Sequence, residues 1–106
     1  MMPQVTVIIP LYNKERTVAR ALESVQAQEF TDFEVIVVDD GSSDQGPQVV
    51  RSFADPRFRM VHQPNAGPGS ARNHGGNLAR GDLLAFLDAD DEWRPEYLGT
   101  MVATLM

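Results

Sequence analysis

The chain has 106 residues, the size of one domain, and 42% of them are hydrophobic, which suits a packed core and argues against wholesale disorder. Nine Lys and Arg against fifteen Asp and Glu give a formal charge of −6, with no basic stripe that could follow a nucleic-acid backbone. There is no cysteine, so disulfides, thiolate metal sites and cysteine nucleophiles are excluded.

Residues 1–10 read as the start of a strand, not a secretory leader, and no apolar run approaches the roughly 20 residues that span a bilayer. The expected location is therefore the cytoplasm, at the inner membrane face if a longer protein carries membrane segments. The first predicted strand, Val5-Thr6-Val7-Ile8-Ile9, is β-branched throughout and ends at Pro10. Val18, Leu22 and Val25 then recur at helical spacing, with Arg16, Arg20 and Glu23 facing outward. A second strand, Glu34-Val35-Ile36-Val37-Val38, ends at Asp39-Asp40. A weaker helix is predicted over 47–53, with Val49, Val50 and Phe53 as its apolar side. The third strand, Phe58-Arg59-Met60-Val61-His62, is more amphipathic, as an outer strand would be. A helix over 70–79 leads to Leu83-Leu84-Ala85-Phe86-Leu87, whose lack of alternation predicts a strand covered on both faces. The last helix starts near Pro95, with Leu98, Met101, Val102 and Leu105 as its stripe.

Strand–helix alternation with nearly continuous apolar strands predicts a three-layer α/β fold, a mainly parallel sheet with helices on both faces. In such sheets ligands sit beyond the carboxyl ends of the strands, near the point where strand order reverses. Polar segments fall at three of those ends: Pro10-Leu11-Tyr12-Asn13, Asp39-Asp40-Gly41-Ser42 and Asp88-Ala89-Asp90. Their convergence favours a binding cleft.

Each motif has a bland reading beside the functional one. Period-two geometry points Asp88 and Asp90 to one side and Asp91 to the other, and two hard oxygen ligands at a strand tip suit Mg²⁺ or Mn²⁺. The same residues also fit a surface turn with an acidic cluster ahead of the Pro95 helix, and alone the two readings stand level. Asp39 or Asp40 could accept hydrogen bonds from ribose hydroxyls or a base imide, but the motif alone leans towards an Asp-Gly turn capped at Ser43. The stretch 65–73 is a glycine-containing loop running into a helix. Its N–H groups and Arg72 suit a phosphate, or else Ser70 caps an ordinary helix and Arg72 lies in solvent. Lys14, the one lysine, and Glu15 read as surface residues; His62 and His74 lack a partner at metal-ligand spacing; Trp93 reads as packing.

Taken together, residues 5–13, 38–44, 65–67 with 71–73, and 87–91 resemble the family 2 glycosyltransferases, in order and spacing, over nearly the whole chain. The resemblance implies the GT-A fold, a Rossmann-like nucleotide-sugar-binding architecture. It implies that Asp40 contacts a uracil-type base, helped by the backbone around Pro10 and Tyr12, and that Asp39 organises the same pocket. Arg72 would lie near ribose or phosphate. Asp90 would be the main metal ligand, with Asp88 facing the donor or reaching the metal through water. Asp91 matches a further acidic position with no assigned role. Family members invert at the anomeric carbon, with Mn²⁺ or Mg²⁺ stabilising the leaving diphosphate and an Asp or Glu deprotonating the acceptor.

The family's catalytic domain is about twice this length, and its base and acceptor-binding half follow the Asp-x-Asp motif. Here only the 95–106 helix follows, and Glu96 sits too near its start to serve. The chain therefore reads as a truncated, N-terminal donor-binding half with no catalytic residue identified and an unknown acceptor, or as a non-catalytic nucleotide-binding or assembly fragment. A phosphoacceptor receiver module would need a late lysine, and a dinucleotide enzyme would need Gly-x-Gly-x-x-Gly after the first strand. In the GT-A fold the strand ending at Asp88 has further strands beside it, so its edge and part of the last helix are expected to be exposed and to self-associate.

Overall fold

A computed structural model of the chain describes residues 2–106; Met1 lies outside the described residues. Four strands and four helices alternate: β1 (Val5–Leu11), α1 (Val18–Gln26), β2 (Phe33–Asp39), α2 (Gly46–Arg51), β3 (Phe58–His62), α3 (Pro68–Leu78), β4 (Leu83–Phe86) and α4 (Tyr97–Leu105). The sheet is parallel throughout, in the order β3-β2-β1-β4. Val7 aligns with Val35 on one side and Ala85 on the other. Strand order runs outward from β1 to β3 and then reverses to β4, so the switch point lies between β1 and β4.

The residues explain the layering. β1 and β2 are the two inner strands and their apolar side chains are buried on both faces. On one face Val5, Val7, Ile9, Val35 and Val37 pack against Val18, Leu22 and Val25 of α1, Val50 of α2 and Leu98 of α4. On the other, Ile36 and Val38 meet Ala71 of α3. α3 lies close because Gly75 has no side chain: a Cβ there would stand 2.7 Å from Ile8 Cγ2. The expected three layers are present, with helices on both faces.

Several boundaries differ from expectation. α2 stops at Arg51, and Phe53 leaves the helix to stack on Phe58 with centroids 6.1 Å apart; Pro56 soon after disfavours continued helix. α3 begins at Pro68, a first-turn proline, with Gly67 ahead of it, so Ser70 is inside the helix and caps nothing. α4 begins at Tyr97, two residues after Pro95, because the preceding backbone is tied to α1's end. There the Glu29 N–H donates to the Pro95 carbonyl at 2.9 Å and the Gln28 side chain donates to that of Arg94 at 2.6 Å.

The largest correction concerns β4. It is an edge strand, and α3 packs chiefly on β1 and β2. Ala85 and Leu87 are buried, whereas Leu84 and Phe86 are 42% and 47% exposed, so one face is open. The expected open edge is there, and Leu105 at the end of α4 is also exposed, while Leu98 is buried.

Candidate functional site

The carboxyl ends of β1, β2 and β4 and the N-terminus of α3 surround a cavity of about 510 Å³. Pro10, Tyr12, Asp40, Arg72, Asp88 and Asp90 all line it, together with Lys14, Asn65, Gly67 and Pro68. Of the donor- and metal-binding residues that the resemblance implies, Asp39 does not line it.

β1 ends with Pro10 and Leu11, and the Leu11 carbonyl accepts the Asp40 N–H at 2.8 Å, which joins the first two rims. Asn13 then adopts φ 52° and bridges to the second rim: its N–H donates to Ser42 Oγ at 3.1 Å, and its side-chain oxygen accepts the Ser43 N–H at 2.8 Å. Gly41, at φ 75°, brings this turn against the next loop, where a Cβ would stand 2.8 Å from the Asn65 nitrogen.

Adjacent aspartates at the end of β2 diverge, as period-two geometry requires. Asp39 turns away from the cavity, accepting the Ser42 N–H at 3.1 Å and pairing with His62 Nδ1 at 2.9 Å. Asp40 turns inward and is 2% exposed. Its Oδ1 accepts Gln63 Nε2 at 2.9 Å and the Ala66 N–H at 2.8 Å; its Oδ2 accepts Asn65 Nδ2 at 3.1 Å and the Gly67 N–H at 3.0 Å. Burial opposes ionisation, but these four hydrogen bonds outweigh it and hold the carboxyl below its ordinary pKa. A carboxylate has about four lone-pair sites, and here Gln63 and the 65–67 loop supply four donors to them. Asp40 is a clamp on the 65–67 loop. His74 Nδ1 contacts Gln63 Oε1 at 2.9 Å and so orients the amide that reaches Asp40. Gln63 carried no signal in the sequence.

Beyond β4 the alternation continues into the turn. Leu87 and Ala89 are buried, and Asp88 and Asp90 project into the cavity, as the strand-tip reading expects. The Asp91 N–H closes the turn on the Asp88 carbonyl at 3.0 Å, and Asp91 does not line the cavity. The turn is pinned from α1's side by the Thr17 hydroxyl, which donates to the Ala89 carbonyl at 2.9 Å. Arg72, on α3, pairs with Asp88 at 3.2 Å. Lys14, expected as a surface residue, pairs instead with Asp90 at 3.3 Å across the cavity. Trp93 packs against the core and stacks on Tyr97, with centroids 4.5 Å apart, away from the cavity.

The chemistry on offer is two exposed carboxylates on one side, two cations facing them, and a helix N-terminus suited to an anion. Among the described residues no cluster of three or more His, Cys, Asp or Glu is placed to hold a metal. Asp88 and Asp90 are a two-carboxylate set, the kind that holds a divalent ion together with waters and phosphate oxygens.

Fold and site define a Rossmann-like α/β protein of the GT-A kind with an acidic rim at its switch point. The sequence model described as Glycosyl transferase family 2 matches residues 6–106, and the chain belongs to that family. It is 46% identical over 101 residues to the succinoglycan biosynthesis protein ExoO of Rhizobium meliloti, covering 94% of this chain and 29% of ExoO. Among solved structures it is similar to TarS of S. aureus in complex with UDP-GlcNAc, at a TM-score of 0.90 and 35% identity, covering 94% of this chain and 30% of that one. It is also similar to the mannosyltransferase PcManGT of Pyrobaculum calidifontis in complex with GDP-Man and Mn²⁺, at a TM-score of 0.88 and 31% identity, covering 96% and 32%. The chain thus spans about a third or less of the length of these relatives. No helix among the described residues is long and apolar enough to cross a membrane.

Proposed function

We propose that the cavity binds a nucleoside-diphosphate sugar together with a divalent cation, as the donor-binding domain of an inverting glycosyl transfer. The observation that carries this reading is that Asp88 and Asp90 face Arg72 and the N-terminus of α3 within one cavity. Asp90 and Asp88 would hold Mn²⁺ or Mg²⁺, and that ion would supply charge stabilisation to the leaving diphosphate. The nucleoside would lie against Pro10 and Tyr12, with the Asp40-clamped loop as the opposite wall. Arg72 would meet ribose or phosphate. A uridine-linked donor is favoured because the more similar of the two donor complexes holds UDP-GlcNAc. The proposal keeps the cytoplasm as the place of work.

Nucleotide binding without transfer by this chain alone is the second reading, and one observation favours it. Among the described residues the carboxylates lining the cavity are Asp40, which is engaged by the 65–67 loop, and Asp88 and Asp90, the two proposed for the cation, so none of the three is assigned as acceptor base. We also propose that a second copy of the chain pairs along the open edge of β4 and beside α4.

The test is calorimetric titration of UDP into the chain with and without Mn²⁺, repeated on Asp90→Ala. Metal-dependent binding that the substitution removes is expected. Binding that ignores both the metal and the substitution would overturn the reading.

A further inference from the structure

We propose that Lys14 is an exchangeable counterion that couples metal binding to nucleotide binding. Without ligands it occupies Asp90; when the metal arrives it transfers to the donor's diphosphate. The inference deepens the donor-site reading and rests on it.

Lys14 is the chain's one lysine, placed just beyond β1 on the cavity wall. Its Nζ lies 3.3 Å from Asp90 Oδ2, while Arg72 lies 3.2 Å from Asp88 Oδ1. Each carboxylate of the Asp-x-Asp pair therefore has its own cation, and the two cations come from different elements. All four side chains are 40–61% exposed. Such pairs are weak and easily exchanged, because water competes for both partners. A divalent ion on Asp88 and Asp90 carries two charges and must displace cations from the same oxygens. A displaced ammonium on a flexible stem stays within the cavity, where a diphosphate brings a compensating negative charge.

The consequence is a linkage. Metal alone competes with Lys14 for Asp90, so its affinity is lowered. Nucleotide draws Lys14 away and raises metal affinity, and by reciprocity metal raises nucleotide affinity. A lysine that merely lay on the surface would change neither affinity.

The test compares the unaltered chain with Lys14→Met and Lys14→Arg, using Mn²⁺ binding followed by electron paramagnetic resonance and UDP binding followed by calorimetry. Lys14→Met should bind Mn²⁺ alone about two- to fivefold tighter, the scale of an exposed pair. It should bind UDP at saturating Mn²⁺ about tenfold weaker, the scale of a hydrogen bond between charged groups. Lys14→Arg should restore most of the coupling. Unchanged affinities in Lys14→Met, with the unaltered chain binding both ligands, would overturn the inference alone. Failure of the unaltered chain to bind either ligand would overturn it together with the donor-site reading. Lys14 is half-exposed, so its replacement leaves the core intact, and circular dichroism checks this.

Discussion

Replacing Asp40 by Asn tests whether the inward aspartate is a structural clamp. The substitution keeps size and shape, so it opens no cavity, and it removes one acceptor oxygen and the charge. Whichever way the amide is turned, its oxygen keeps two of the four donors and its NH₂ confronts the other two. The pairs are Gln63 with Ala66, or Asn65 with Gly67. A hydrogen bond to a charged group contributes about 1.5–3 kcal/mol, so two lost bonds set an upper bound of roughly 3–6 kcal/mol. Asn65 and Ala66 are exposed, and water reaching the stranded donors should bring the loss to about 2–3 kcal/mol. With a urea slope typical of small domains the midpoint would fall by about 1–2 M.

The pH dependence sharpens the test. Asp40's pKa is lowered in the folded chain, despite burial, by its hydrogen bonds to Gln63, Ala66, Gly67 and Asn65. A depressed carboxyl contributes stability that is fully present above its unfolded pKa, about 3.9, and is lost as pH falls through the folded value. The gap between the unaltered chain and Asp40→Asn should therefore be widest near neutrality and close in acid, where a protonated Asp40 resembles the amide. Urea unfolding across this range measures both. A gap below about 0.5 kcal/mol at neutral pH, the usual scatter of surface substitutions, or one that does not change with pH, would refute the clamp.

Two further substitutions probe the frame around the site. Gly75→Ala places a Cβ 2.7 Å from Ile8 Cγ2 and 3.3 Å from Val38 Cγ2, whereas Gly76→Ala, one residue on, meets nothing within 4 Å. The first should destabilise by about 1–2 kcal/mol after the helix-propensity gain is offset, and the second should stabilise by up to about 1 kcal/mol; thermal unfolding giving both the same sign would contradict the packing of α3. Phe86→Lys places a charge on the open face of β4 and should reduce self-association in light scattering at high concentration. A monodisperse monomer before the substitution would remove the pairing proposal.

The inner strands were legible because β1 and β2 are buried on both faces, and burial of that kind leaves an uninterrupted apolar run. β4 shows the limit of that signal. Leu84 and Phe86 are as apolar as the residues of β2, and only strand order, a long-range property, decides that they stay nearly half exposed. At six residues α2 is too short for periodicity to set its ends. In the site, local spacing left Arg72, Asp88 and Asp90 open between a site and a surface reading, and it was the resemblance of several motifs together that grouped them, as the shared cavity does. Lys14 could not be read, because its partner lies 76 residues away and a lysine after a strand looks the same in solvent or across a cavity. Asp39 and Asp40 had to diverge, but which of them turns inward depends on His62 and the 65–67 loop, both from beyond β2.

The three carboxylates lining the cavity are held by different means, and the difference follows from their surroundings. Asp40 is positioned through its own oxygens, which leaves it little capacity for a ligand. Asp88 and Asp90 are positioned through their neighbours: Leu87 and Ala89 are buried, the Leu87 N–H donates to the Ile8 carbonyl at 3.1 Å, and Thr17 holds the Ala89 carbonyl. Among the described residues their oxygens pair with the exposed cations Arg72 and Lys14. A backbone fixed by alternate buried residues can thus present two carboxylates whose lone pairs remain exchangeable. That is the arrangement a metal-bridged diphosphate requires, since its oxygens and its cation must both be able to enter and leave.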